Sequence, residues 1–218
     1  HLGLSSNKPM DIFGPKWENY LEILQKNWTS LVKPDDLVLI PGDISWAMYL
    51  DEIEADFRFL NDLPGIKLIS KGNHDYWWET LKKLNAYVEK MNFQTIHFLH
   101  NSIYQYDKIT ICAAKGYPDN GKSEEDKKLY SREVNRLALS LEAAAAAGAQ
   151  IIYVMLHYPP TLQSEFARLM EQYGVSRCLY GHLHGVHHNM ALEGVYGGVD
   201  YKLVAADYLQ FKPYLLMK

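Results

Sequence analysis

Asp43, Asn73, His74, His157, His182 and His184 are the residues of this 218-residue chain whose types and placement could do metal chemistry. Each follows closely on an apolar run. Leu37–Ile40 leads into Pro41-Gly42-Asp43, Ile66–Ile69 into Lys71-Gly72-Asn73-His74-Asp75, Ile151–Leu156 into His157, and Cys178-Leu179-Tyr180 into Gly181-His182-Leu183-His184. Such runs read as buried strands, and open α/β sheets place ligands at the carboxyl ends of strands. Asp43 offers a carboxylate able to bridge two cations, Asn73 a neutral carbonyl oxygen, and the three histidines imidazole nitrogens. A mixed nitrogen and oxygen set without thiolates suits Zn, Mn or Fe rather than Ca. On an extended segment His182 and His184, two residues apart, point to one side and face one cluster. On a turn they diverge toward two ions.

These positions need elements to hold them. Gly14-Pro15 marks a helix start, with Pro at an early helical position. Trp17, Tyr20, Leu21, Leu24, Trp28 and Leu31 then recur at helical spacing. Ile53, Phe57 and Leu60 predict a second helix, closed near Pro64-Gly65. Trp77, Leu81, Leu84, Val88 and Met91 predict a third. Strands are predicted over 96–99, 103–106 and 109–113, with Asp107-Lys108 as a hairpin turn. Lys115 to Asp126 is a polar loop, and Ser123-x-x-Asp126 resembles a capping box for a helix carrying Val134, Leu137 and Leu141. Gly148 closes that helix. Leu162, Phe166, Leu169 and Tyr173 predict a fifth. The tail reads as β-rich: Val186, 195–196, 201–205 and 208–216. Early alternation of strand and helix, with antiparallel strands late, gives two packed sheets with helices outside, in one domain spanning residues 1–218.

Composition narrows the function. Apolar residues make up 48 % and charged residues 22 %, and the net charge of −4 argues against a general polyanion binder. Lys122, Lys127 and Lys128 cluster, but Glu124, Glu125 and Asp126 dilute them. Cys112 and Cys178 lie inside strand-like runs and are expected as buried free thiols, which suits a reducing compartment and a cytoplasmic location. No run of about 18 apolar residues occurs, so no membrane partner is expected. The chain begins at His1 rather than Met, so an amino-terminal segment is expected to be missing and a signal peptide stays an open question.

Taken together, Gly42-Asp43, Gly72-Asn73-His74-Asp75, His157 and Gly181-His182-Leu183-His184 resemble the signature of the calcineurin-like metallophosphoesterase superfamily. That family's first motif is Asp-x-His, and His1 followed by Leu2-Gly3 looks like its His. The strand before it and the motif's Asp are then expected to be absent from this sequence. The resemblance implies an α/β (α+β mixed) fold, a four-layer αββα sandwich of two mixed β-sheets flanked by helices. It also implies two divalent or trivalent transition metal ions (Mn, Fe or Zn). One would be held by the absent Asp, His1, Asp43 and His184, the other by Asp43, Asn73, His157 and His182, with Asp43 bridging. His74 would be no ligand but the group beside the leaving group, as general acid or charge stabiliser.

One departure stands out. Protein phosphatases of the family orient this His with an Asp three residues after the bridging Asp, where this chain has Trp46. Asp75, Asp51 or a backbone carbonyl is expected to substitute, and the protein-phosphatase reading is weakened. Trp46, Tyr76, Trp77 and Trp78 are read mainly as core, with one free to stack on a base or aromatic leaving group. His187 and His188 are read as surface residues, and His97 and His100 carry no role. The Lys115–Asp126 loop is the candidate rim for substrate selection. The expected activity is hydrolysis of a small phosphomonoester or phosphodiester, or of a nucleotide, by dinuclear-metal-activated water. No stable nucleic-acid complex is expected, and the oligomeric state is not legible. The alternatives are a nuclease, and a non-catalytic scaffold of the same fold.

Overall fold

Leu37–Ile40 (β1), Ile66–Ile69 (β2) and Ile96–Phe98 (β3) pair in that order, all parallel. The computed structural model describes residues 1–6 and 8–217. The helices Glu54–Asp62 (α2) and Leu81–Lys90 (α3) form the two crossovers of this small sheet, and Tyr20–Leu31 (α1) precedes it. Their apolar stripes meet one face of the sheet: Trp28, Phe57, Leu60, Leu84 and Val88 pack on Ile69 and Ile96.

The second sheet has six strands. Ile103–Tyr106 (β4), Ile109–Ala114 (β5), Ile151–Leu156 (β6), Arg177–Tyr180 (β7), Gly194–Tyr196 (β8) and Val199–Leu203 (β9) run in the order β4-β5-β6-β7-β9-β8. The centre is parallel because Glu124–Ala146 (α4) and Glu165–Gln172 (α5) carry the chain back between strands. The hairpins β4/β5 and β8/β9 supply the antiparallel flanks. Asp107 takes φ 51° in the first hairpin, as the sequence leads one to expect. Val134, Leu137, Leu141, Phe166 and Met170 cover the outer face of this sheet.

Period-two alternation then joins the sheets. Leu68, with Leu37 and Leu39 beside it, faces Ile109, Ile111, Tyr153 and Met155, while Ile69 faces the helices. The result is the four-layer sandwich, its small sheet wholly parallel where a mixed one was expected. Cys112 and Cys178 are free and buried, and burial raises both thiol pKa values, that of Cys112 to about 11.

Four stretches differ from the sequence reading. Pro15–Trp17 forms only a 3₁₀ turn; α1 waits until Tyr20 because Asn19 before it is left-handed, at φ 53°. Trp77 lies outside α3, which starts after Thr80 caps the Lys83 N–H. Val186 belongs to a 3₁₀ segment, Gly185–Met190, rather than a strand. Residues 208–216 form no strand, since β9 already has β7 and β8 on its two edges. Instead Gln210 and Phe211 are both left-handed, and the turn buries Phe211 against Trp17 and Tyr20.

β1 pairs with β2 alone, and its other edge stays open among the described residues. That edge lines a cavity of about 920 Å³, which reaches from Trp28 and Leu216 to His1, Asp43 and His184.

Candidate metal centre

The carboxyl ends of β1, β2, β6 and β7 meet on one rim, so residues far apart in sequence converge. Gly42 makes the turn after β1 at φ 85°, and Asp43 follows in the left-handed region at φ 59°. His182, at φ 68°, shares that conformation. Two left-handed non-glycine residues at one site are costly and are kept where the surroundings hold them. Here the Gly42 and Gly72 turns touch backbone to backbone. A Cβ on Gly42 would lie 2.2 Å from the Gly72 nitrogen, and one on Gly72 would lie 2.1 Å from Asp43 Oδ1.

Asp75 ties these turns together. It is fully buried, and its Oδ2 accepts the N–H groups of Asp43 (2.8 Å) and Gly72 (2.7 Å). Its Oδ1 accepts Ile44 N–H (2.9 Å) and Trp77 Nε1–H (3.1 Å). Burial and the neighbouring Asp43 carboxylate raise its pKa to about 6, against the three backbone donors that favour the charged form. Asp75 therefore does not orient His74, and no bond joins His74 to Asp51 among the described residues. The partners of His74 are Asp43 and Asn73: the His74 N–H donates to Asp43 Oδ1 (2.9 Å), Nδ1 lies 3.1 Å from Asp43 Oδ2, and Nε2 lies 3.2 Å from Asn73 Nδ2. Trp46 leans on the same ring, centroids 4.9 Å apart.

His1 is brought in by the segment after it. Leu2 N–H bonds the Ile44 carbonyl (2.8 Å), Tyr20 donates to the Leu2 carbonyl, and Leu4 N–H bonds buried Asp56 (2.8 Å). The His1 ring stacks on Trp46 at 3.6 Å and 4°. Its Nε2 is buried without a hydrogen-bond partner among the described residues and lies 3.9 Å from Asp43 Oδ2. One ligand atom each from His1, Asp43 and His74 fall within 4.8 Å of one another.

Asp43 also faces a second group. His157 Nδ1 is 2.9 Å from the Pro41 carbonyl, which can only accept, so Nδ1 carries the proton and Nε2 is a bare acceptor. That Nε2 lies 2.6 Å from Asn73 Oδ1 and 3.4 Å from Asp43 Oδ2. His182 Nδ1 is 3.0 Å from Asn73 Oδ1 and 3.2 Å from His157 Nε2. Burial lowers the pKa of His157 and, with His157 beside it, that of His182 to about 4, so both are neutral bases. Burial pushes Asp43 up, but the His74 hydrogen bonds and the nearby imidazoles outweigh it and hold the carboxyl well below its usual range.

These residues fit a cation. Acceptor atoms at 2.6 Å, ringed by a carboxylate and a neutral imidazole, repel unless positive charge lies among them. The orphaned His1 Nε2 points to the same need on the other side of Asp43. Neutral imidazoles and an ionised carboxylate are the forms that bind metal.

His184 stands beside these groups on the wall of the same cavity. His182 and His184 lie after β7 on a turn, and so they diverge. His184 Nδ1 is 2.7 Å from Asp207 Oδ1, the geometry by which a carboxylate fixes an imidazole tautomer and frees Nε2. Asp207 is a residue that sequence reasoning missed. It is buried, accepts Gly185 N–H (2.9 Å), and lies 3.1 Å from His188 Nε2, so His188 is half-buried rather than a surface residue. Its signal was its place four residues after β9, another strand end on the same rim. Trp77 is core, whereas Tyr76 is 54 % exposed with its ring 6.1 Å from His74.

A two-sheet αββα sandwich with a nitrogen and oxygen ligand cluster at its shared strand ends defines a metal-dependent hydrolase class. The sequence model of the calcineurin-like phosphoesterase family matches residues 11–186. The chain belongs to that family, whose members are metal-dependent phosphoesterases and usually bind divalent metals. Among solved structures it is similar to TT1561 of Thermus thermophilus, 16 % identical, with a TM-score of 0.54 over 78 % of each chain. A second solved structure is 13 % identical, with a TM-score of 0.51 over 85 % of each chain. No curated protein matches the chain. No helix among the described residues is long and apolar enough to cross a membrane.

Proposed function

We propose that this chain hydrolyses a small phosphomonoester or phosphodiester, a nucleotide among the candidates, at a dinuclear centre. The observation that carries the reading is the pair of ligand groups sharing Asp43: His1 on one side, Asn73, His157 and His182 on the other. His184, with its Nδ1 engaged by Asp207, would complete the first set through Nε2. When bound, such ions supply Lewis acidity, generating hydroxide near neutral pH and neutralising charge on the phosphoryl oxygens.

The protein's own residues do the rest. Asp43 keeps its charge because His74 and the imidazoles around it stabilise the carboxylate. Pro41 fixes the His157 tautomer. His74, with 35 % of its side chain exposed, can reach a leaving group and hand it a proton. Trp46 orients that ring by contact where related phosphatases use a carboxylate: it packs against both His1 and His74 and limits their rotation.

The test is a Mn²⁺-supplemented screen of the protein against bis-p-nitrophenyl phosphate, p-nitrophenyl phosphate and a nucleotide panel. Turnover of at least one that is lost with EDTA and restored by metal is expected. Stoichiometric metal binding with no turnover of any would leave the scaffold alternative in its place. His74→Ala should lower turnover by about 10²–10⁴-fold with metal still bound. Metal loss in step with activity would make His74 the third ligand beside His1 and Asp43.

A further inference from the structure

Of the aromatic rings next to the cluster, one is left uncovered. Trp77 is buried in the core, and Trp78 is half-buried with its ring 5.5 Å from those of Trp77 and Phe98. Trp17, 5.9 Å from the His184 ring, is buried. Trp46 is covered on both faces: His1 lies parallel on one at 3.6 Å, so the Lys8 ammonium, 3.7 Å from the same ring, sits on the other. Tyr158 is half-buried among His157, His182 and Tyr117, with Lys115 Nζ 5.9 Å from its centre. Phe13 is exposed but lies one ring further out, 6.3 Å from Trp46.

The uncovered ring is Tyr76. It is 54 % exposed, and its centre lies 6.1 Å from that of His74, edge to face at 71°. Its neighbours set its position. Asp75 before it is buried with four donors on its carboxylate, Trp77 after it is buried, and the Tyr76 N–H donates to the His74 carbonyl at 2.9 Å. With the residues on either side pinned inward, the tyrosine side chain is held outward beside His74. A large ring kept in water by a rigid turn is pre-organised. A planar group that covers it removes apolar surface from water and has little left to order.

His74 decides what that group is. Its Nδ1 is 3.1 Å from Asp43 Oδ2, and its partly exposed side chain stands where the leaving group is assigned. A ring carried by the leaving group comes within reach of Tyr76 while the phosphoryl group stays at Asp43. We infer that Tyr76 is a specificity-determining platform on which a planar aromatic ring of the leaving group stacks. This rests on the phosphoesterase reading and narrows it to phosphoesters whose leaving group carries such a ring, an aryl alcohol or a nucleoside. Tyr76 acts by contact, so loss of the ring should cost aromatic substrates more than others.

The test compares kcat/KM of the Mn²⁺-loaded protein for phenyl phosphate against glycerol 3-phosphate, and for AMP against ribose 5-phosphate. Differences in intrinsic reactivity within a pair cancel when the ratios of variant and wild type are compared. Tyr76 is exposed, so its replacement leaves the packing of the turn intact. In Y76A the ratio should fall about fivefold or more in at least one pair, the scale of an aromatic pair. A fall in the first pair assigns the ring to an aryl ester, and a fall in the second to a nucleotide. Y76F keeps the ring and should hold the wild-type ratio. Unchanged ratios in Y76A overturn the platform, and so does a fall in Y76F as large as that in Y76A, which would move the effect to the hydroxyl. If the wild type hydrolyses none of these compounds, the activity reading fails on its own, and calorimetry with the same compounds decides the platform. Binding of phenyl phosphate or AMP weakened about fivefold in Y76A and held in Y76F upholds it, and equal or undetectable binding overturns it.

Discussion

Asp43→Ala should abolish hydrolysis and strip metal from the protein. Both ligand groups share this one carboxylate: Oδ2 lies 3.1 Å from His74 Nδ1, 3.4 Å from His157 Nε2 and 3.9 Å from His1 Nε2. Alanine removes the carboxylate between the two groups and leaves imidazoles and an amide, which bind a cation without neutralising it. The loss of metal affinity should exceed about 100-fold, the upper end of what an outer-sphere partner costs. Metal content by atomic emission after dialysis, beside turnover of bis-p-nitrophenyl phosphate, checks it. Full occupancy in the variant would contradict the ligand assignment. The fold should survive with some loss of stability: the Asp43 N–H still donates to Asp75, but the His74 N–H loses Oδ1 as its acceptor.

Asp75→Asn should act the other way round, on stability first. The two Asp75 oxygens take four donors, two each, from Gly72, Asp43, Ile44 and Trp77. An amide of the same shape has one acceptor oxygen. Its NH₂ would confront two N–H groups, both buried and without another partner. At about 1–3 kcal/mol for each orphaned donor, the expected loss is about 2–6 kcal/mol. A urea midpoint lowered without a change in slope is the expected result. A midpoint equal to wild type would remove Asp75 from this role. Metal binding should weaken in parallel, since Asp75 fixes the turn that aims Asp43.

Much of this was legible in the chain because strands advertise themselves locally. Leu37–Ile40, Ile66–Ile69, Ile151–Leu156 and Arg177–Tyr180 all became strands, and the ligand-type residues fell at their ends. The Ser123–Asp126 capping box formed as its spacing required. What stayed hidden depends on partners distant in sequence. Asp75 reads as turn chemistry until the N–H groups of Asp43 and Ile44, 32 and 31 residues away, are seen to converge on it. Asp207 follows two alanines with no motif, and only the fold brings it to His184. The tail from Tyr208 carries strand-forming residues, but it turns at left-handed Gln210 and Phe211 to bury Phe211 against Trp17 and Tyr20. The packing of Trp46 on both His1 and His74 was hidden too, since no local motif announces it.

The open edge of β1 has a consequence for how the protein behaves in company. Leu-Val-Leu-Ile presents unpaired N–H and C=O groups with no charge along it, and such an edge templates pairing with another extended chain. It also runs straight to Asp43 and His1. A strand added there would lie along the wall of the candidate metal site, beside His1 and Asp43.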